Sequence, residues 1–100
     1  MYKAVLLYHQ PEDSEAFERH HLGRHLSLTA KVPNVVRIET ARALSGSDGS
    51  PAPFYRTAEI WFDDLPTLRA SLGSPEGREA LADTETFATG GVEMFITEID

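Results

Sequence analysis

FYRTAEIWFDDLPTLRASL, residues 54–72, holds the change of rhythm that decides the fold. From Phe54 to Phe62 the side chains alternate, with Phe54, Ala58, Ile60 and Phe62 on one side and Tyr55, Thr57, Glu59 and Trp61 on the other, which is the two-residue period of a strand. Asp63-Asp64 then offers a helix cap, and Pro66 falls in the first turn, where proline is tolerated. A helix is predicted to Leu72, stopped by Gly73-Ser74-Pro75.

The flanking residues alternate or cap in the same way. Tyr2 to Tyr8 is almost wholly apolar and reads as a central strand, closed by Gln10, Pro11 and Asp13. From Asp13 or Ser14 a helix is predicted to Lys31. Placed at about 100° per residue, Phe17, Leu22, Leu28 and Val32 share one arc, and Arg19, His20, Arg24, Ser27 and Lys31 the other. Pro33-Asn34 ends it. Val35 to Leu44 is a polar strand of edge character, with Val36, Ile38, Thr40 and Arg42 on one face. Ser45 to Pro53, SGSDGSPAP, is a Gly-, Ser- and Pro-rich hairpin connection with nothing to bury, so it is expected to be the most mobile segment. Past Leu72, residues Glu76 to Ala82 are good helix formers, Asp83 to Gly91 drifts through Thr and Gly, and Val92 to Ile99 is the last strand.

The order is strand, helix, strand, strand, helix, strand, with no repeat and no linker. Such an order folds into an α+β domain of ferredoxin-like type, a four-stranded antiparallel sheet with its helices on one face, spanning residues 1–100. The other face would then show Val5, Leu7, Tyr55, Trp61 and Phe95, too apolar a patch for so small a monomer. A homodimer packed through that helix-free face, two sheets enclosing a partly hollow α/β barrel, is the expected assembly.

Composition narrows the function. The 100 residues carry no cysteine, so thiolate ligands, disulfides and a cysteine nucleophile are excluded, and the net charge of -7 with nine scattered basic residues argues against a nucleic-acid partner. No apolar run is long enough to span a membrane or to serve as a signal peptide, and a cytoplasmic location is expected. No GxGxxG, Walker or GxSxG motif is present, so nothing supports nucleotide binding or serine hydrolysis.

Histidine is the remaining proton carrier near neutral pH. His25 lies at about 80° from Phe17 on the helix, inside the apolar arc and turned toward the sheet. A neutral imidazole there can give or take a proton beside a carbonyl; the alternative is a packing residue bonded to a backbone carbonyl. Glu18 and His21 fall on the same arc, so a Glu18, His21, His25 stripe is physically possible, but a zinc site would need a third ligand and His9 is the one histidine left. A wetted helix edge is the better reading, and no metal is expected. Glu59, mid-strand, needs a partner among Arg37, Arg56 and Lys3, or a place in a cavity where it orients His25 or a ligand. Trp61 and Tyr8 suit either stacking on an aromatic ligand or ordinary core packing.

Together Pro11 after the first strand, Phe17 and His25 in FERHHLGRHLSL, then KVPNVVR and AEIWFDDLPTL, resemble the EthD family of dimeric α/β-barrel proteins across nearly the whole chain. The resemblance implies a cavity between the sheet and the first helix, lined partly by His25, and activities like those of muconolactone isomerases and polyketide dehydratases or decarboxylases. Two departures bear on the pocket: the family often has Trp or Tyr before the histidine and proline after it, where this chain has His20-His21 and Leu26-Ser27. The expectation is a small-molecule-binding protein, a cofactor-independent isomerase, lyase or cyclase acting on a small carbonyl-bearing, aromatic or polyketide-like metabolite. His25 would be its general acid/base, with Tyr8, Phe17, His21, Glu59 and Trp61 about the substrate. A cofactor-independent monooxygenase on a quinol-like substrate and a non-catalytic binder are the alternatives. Replacing His25 by Ala should then abolish turnover and leave thermal stability nearly intact.

Overall fold

The computed structural model describes all residues, 1–100. Strands β1 (Tyr2–Tyr8), β2 (Arg37–Arg42), β3 (Arg56–Phe62) and β4 (Val92–Glu98) form one antiparallel sheet in the order β2-β3-β1-β4. The apolar β1 is central, as its composition demands, and the polar β2 lies at an edge. The strands are shorter than the sequence predicts at β2 and β3. Tyr55 falls just outside β3, and its ring packs edge-on against Phe17 at 5.0 Å on the helix side instead of joining Trp61.

The registers Tyr8↔Arg56, Leu6↔Ala58 and Ala4↔Ile60 put these residues on the face that the helices cover. Ala4, Leu6, Tyr8, Ala58, Ile60 and Phe62 from the sheet meet Phe17, Leu28, Val32, Leu68, Ala80 and Phe87 in one core. Arg56 is buried among them, which holds because Glu18 accepts from its Nε at 3.3 Å and from a terminal nitrogen at 2.5 Å.

The first helix is not one regular element. It runs as α1 (Ser14–His20), a π turn (His21–His25) and α2 (Leu26–Thr29), with Asp13 capping the N-terminus through the Ala16 amide and the Leu26 amide reaching back five residues to the His21 carbonyl. One wide turn keeps Phe17, His21 and His25 all facing inward and places Leu22 outside, 63 % exposed, where the helical wheel has it buried. His20, assigned to the solvent arc, turns toward the second helical layer.

That layer consists of α3 (Leu65–Leu72), capped by Asp64, and α4 (Pro75–Phe87), capped by Ser74. The helix α4 is twice as long as the propensities of residues 83–87 suggest, because its stripe Gly77, Ala80, Thr84 and Phe87 buries against the sheet and the π turn. Gly77 is required at the α3–α4 corner, since a Cβ there would sit 2.2 Å from the Ser71 carbonyl oxygen. No helix is long and apolar enough to cross a membrane. The 45–53 connection is exposed but folds on itself, the Ser50 carbonyl accepting from the Gly46 amide at 2.7 Å.

The helix-free face is more polar than the alternation predicts. Val5 is already buried within one chain, Lys3 bonds Glu59 at 3.2 Å, and Trp61 lies between Lys3 Nζ and Arg37 Cζ, each 5.1 Å from its ring. Phe95 on β4 is the large apolar side chain left open there.

Candidate active site

At the centre of the helix-covered face, the π turn brings His21 and His25 over Leu6, Tyr8, Ala58 and Ile60. The two imidazoles are four residues apart, with ring centroids 5.9 Å apart and planes 28° from parallel. Both are buried, as are Tyr8 and Phe17. Between these side chains, with Leu26, Ile38 and Thr40 also against it, is a space of about 20 Å3, room for one water. A second void of the same size is lined by His25 together with Thr29, Ala80 and Thr84.

His25 is held by a residue the sequence reading passes over. Asp83, in the middle of α4 and 7 % exposed, accepts from His25 Nδ1 at 3.0 Å, from His20 Nε2 at 2.9 Å and from Arg24 Nε at 3.3 Å. A carboxylate has only lone pairs to offer, so His25 must carry its proton on Nδ1 and keep its lone pair on Nε2. No protein group bonds Nε2. Burial alone would raise the Asp83 carboxyl, but the His20 and His25 donors outweigh it and hold the group below the ordinary carboxylate range. Burial lowers His25, opposed by its bond to Asp83, so the ring is neutral at neutral pH.

His21 and Tyr8 complete the cavity. His21 is fully buried, and burial, with Arg56 and His25 beside it, lowers it to about 4. Neither of its ring nitrogens has a hydrogen-bond partner, nor has the Tyr8 hydroxyl. Phe17 supports both rings, packing edge-on to Tyr8 at 5.3 Å and nearly flat on His21 at 5.9 Å.

Of the residues singled out from sequence, Tyr8, Phe17, His21 and His25 therefore meet at one place. Glu59 and Trp61 do not: the register Lys3↔Trp61 and Val5↔Glu59 puts them on the opposite face of the sheet, where Glu59 is paired with Lys3 and cannot orient His25. Glu18 turns to Arg56, so no Glu18, His21, His25 triad forms. Asp83 left one readable trace, an acid on the inward stripe Gly77, Ala80, Asp83, Phe87, at helical spacing.

Fold and site together define a ferredoxin-like α+β protein with a buried His–Asp pair facing a small apolar cavity. The EthD domain model matches residues 9–91, and the chain belongs to that family. An uncharacterized 11.0 kDa protein in the thcB-thcC intergenic region of Rhodococcus erythropolis is 35% identical over 98 residues, covering 98% of this chain and 94% of the relative. The crystal structure of an EthD family protein from Bacillus halodurans C-125 superposes with a TM-score of 0.93 at 31% identity, covering 100% of this chain and 99% of that one. The hydroxynitrile lyase of Passiflora edulis shares the fold at 13% identity, with a TM-score of 0.79 over 99% of this chain and 93% of the lyase. Other solved neighbours of this fold, at 14% to 15% identity, are described as dimeric ferredoxin-like proteins.

Proposed function

We propose that the protein is a cofactor-independent isomerase or lyase that moves a proton on a small carbonyl-bearing metabolite, with His25 as base and then acid. The Asp83–His25 contact carries this reading: it fixes the tautomer and leaves a lone pair on Nε2 of a neutral ring in an apolar cavity. In the reaction Nε2 takes a proton from the carbon beside the carbonyl. The C–H pair moves into the C–C bond, and the carbonyl π pair moves onto oxygen. The imidazolium so formed lies against Asp83, which stabilises its charge without taking the proton. It then returns the proton at another carbon of the conjugated system, or to a group leaving from the β position with its bonding pair. The closed space holds no more than one water, so a carbonyl compound enters only as surrounding side chains such as Leu6 and Ile60 part, and once bound it displaces that water and strengthens the interactions inside.

The working unit in this reading is a homodimer through the helix-free face, supported by the open Phe95 there and by the dimeric neighbours of this fold. Light scattering at micromolar concentration that finds a stable folded 11.1 kDa monomer would remove the dimer from it.

The experiment is α-proton exchange in D2O, followed by NMR, on a panel of cyclic enones and unsaturated lactones. Wild-type protein should exchange at least one of them, and His25→Gln should lose the exchange by about 10²- to 10⁴-fold. Equal rates for the two proteins, or no exchange by either, would overturn the reading. Oxygen uptake with quinols in the absence of exchange would replace it with a monooxygenase.

A further inference from the structure

We propose that His21 and Tyr8 form an oxygen-binding subsite beside His25, two neutral donors that hold the substrate's carbonyl oxygen as it gains negative charge. This inference rests on the assignment of His25 as the base. It names the substrate class by what the donors can and cannot hold.

Three polar atoms with no partner, His21 Nδ1, His21 Nε2 and Tyr8 Oη, belong to two side chains that are both 0% exposed and both line the one cavity. Buried polar groups in folded proteins are nearly always paired, and each orphan costs about 1–3 kcal/mol. Phenylalanine at position 8 would fill the same space without that cost. The ring of Tyr8 is already held as a phenylalanine would be, against Phe17 at 5.3 Å and stacked on Phe87 at 5.9 Å. The hydroxyl adds nothing to that ring packing; Thr84 is the polar side chain beside it, too poorly placed to make a hydrogen bond.

Both groups are donors at neutral pH. Burial raises the Tyr8 hydroxyl above its ordinary value, so it stays protonated, and His21 at about 4 stays an imidazole with one N–H. Neutral donors suit a carbonyl oxygen, or the enolate or phenolate derived from it. A carboxylate would call for a cation, and the guanidinium nearest the subsite, Arg56, is bound on two nitrogens by Glu18. The subsite thus selects ketones, enones, lactones and phenols over carboxylic acids that lack another carbonyl. Packing of His21 against Phe17, His25 and Phe87, at 5.9 to 6.1 Å, keeps its ring from turning away when charge develops, which is the preorganisation such stabilisation depends on.

Substituted phenols of graded acidity are the probe, since a bound phenolate imitates the enolate, and calorimetry reads the dissociation constant without turnover. Wild-type affinity should rise with phenol acidity. Tyr8→Phe and His21→Phe should each bind the most acidic phenol about tenfold more weakly and flatten that trend, and His21→Gln, which returns an N–H, should recover part of it. Tyr8→Phe should melt no lower than wild type. His25→Gln should keep the trend, so a failure of the base assignment and a failure of the subsite are read separately. The proposal falls if wild type binds no phenol at millimolar concentration, if Tyr8→Phe binds as wild type does, or if its loss of binding comes with an equal loss of stability. Should His21→Phe fail to fold, Tyr8→Phe decides alone.

Discussion

Asp83 accepts from three side chains of the first helical segment, and its replacement by Asn separates charge from shape. The amide can donate to His25 Nδ1, which would move the ring proton to Nε2 and leave no lone pair toward the cavity. We expect Asp83→Asn to lower α-proton exchange by about 10²- to 10⁴-fold, with nitrogen-15 NMR showing the changed tautomer. His25→Ala is a poorer test than its sequence context suggests. Exposure of 7 % and the bond to Asp83 mean that alanine leaves both a void and an under-paired buried carboxylate. The expected loss is about 2 kcal/mol or more in urea denaturation, against the near-intact stability expected from the sequence. Unchanged stability would mean that Asp83 finds a substitute partner.

At the scale of elements, alternation was a sound guide where it ran uninterrupted. The faces of β1 and of residues 57–62 in β3 follow it, because a buried face fixes register to the residue. It failed at Tyr55, where the strand had not yet begun, and in the first helix, where a wheel at constant angle has no place for a π turn. Helix propensity undervalued α4 for a related reason: Thr84 and Thr86 disfavour a helix alone, but their hydroxyls bond back to the Ala80 and Asp83 carbonyls and tertiary burial does the rest. The fold was thus legible from the sequence; of the residues named around the site, Tyr8, Phe17 and His21 meet His25 while Glu59 and Trp61 lie on the other face, and the orienting carboxylate was hidden in a segment read as irregular. Two glycines test the description of the helices. Gly23 in the π turn has nothing within 4 Å of an added Cβ, so Gly23→Ala should stabilise by about 0.5–1 kcal/mol. Gly77→Ala should cost about 1–3 kcal/mol, since backbone oxygen at 2.2 Å must give way. Thermal unfolding of the pair, with opposite signs, checks both.

For the whole molecule the buried imidazoles set how stability depends on pH. His21 holds its proton only below about 4 in the folded chain, against 6.5 when exposed, chiefly because it is buried, with Arg56, His25 and His20 disfavouring its charge and Glu18 favouring it. Between those values the unfolded chain binds a proton that the folded chain does not, so stability falls as pH drops from 6.5 toward 4 and this group adds nothing further below that. His25 is lowered too and acts in the same direction. Asp83 and Glu18, both lowered, stabilise the folded chain above the ordinary carboxylate range and lose that contribution as the pH falls through and below it. One proton gives a slope of at most about 1.4 kcal/mol per pH unit. A chain carrying His21→Phe keeps the packing against Phe17 and loses this titration, so its melting temperature should fall less than that of wild type between pH 7 and pH 4.5. Calorimetric scans across that interval decide it, and parallel curves for the two proteins would place the acid sensitivity at groups other than His21.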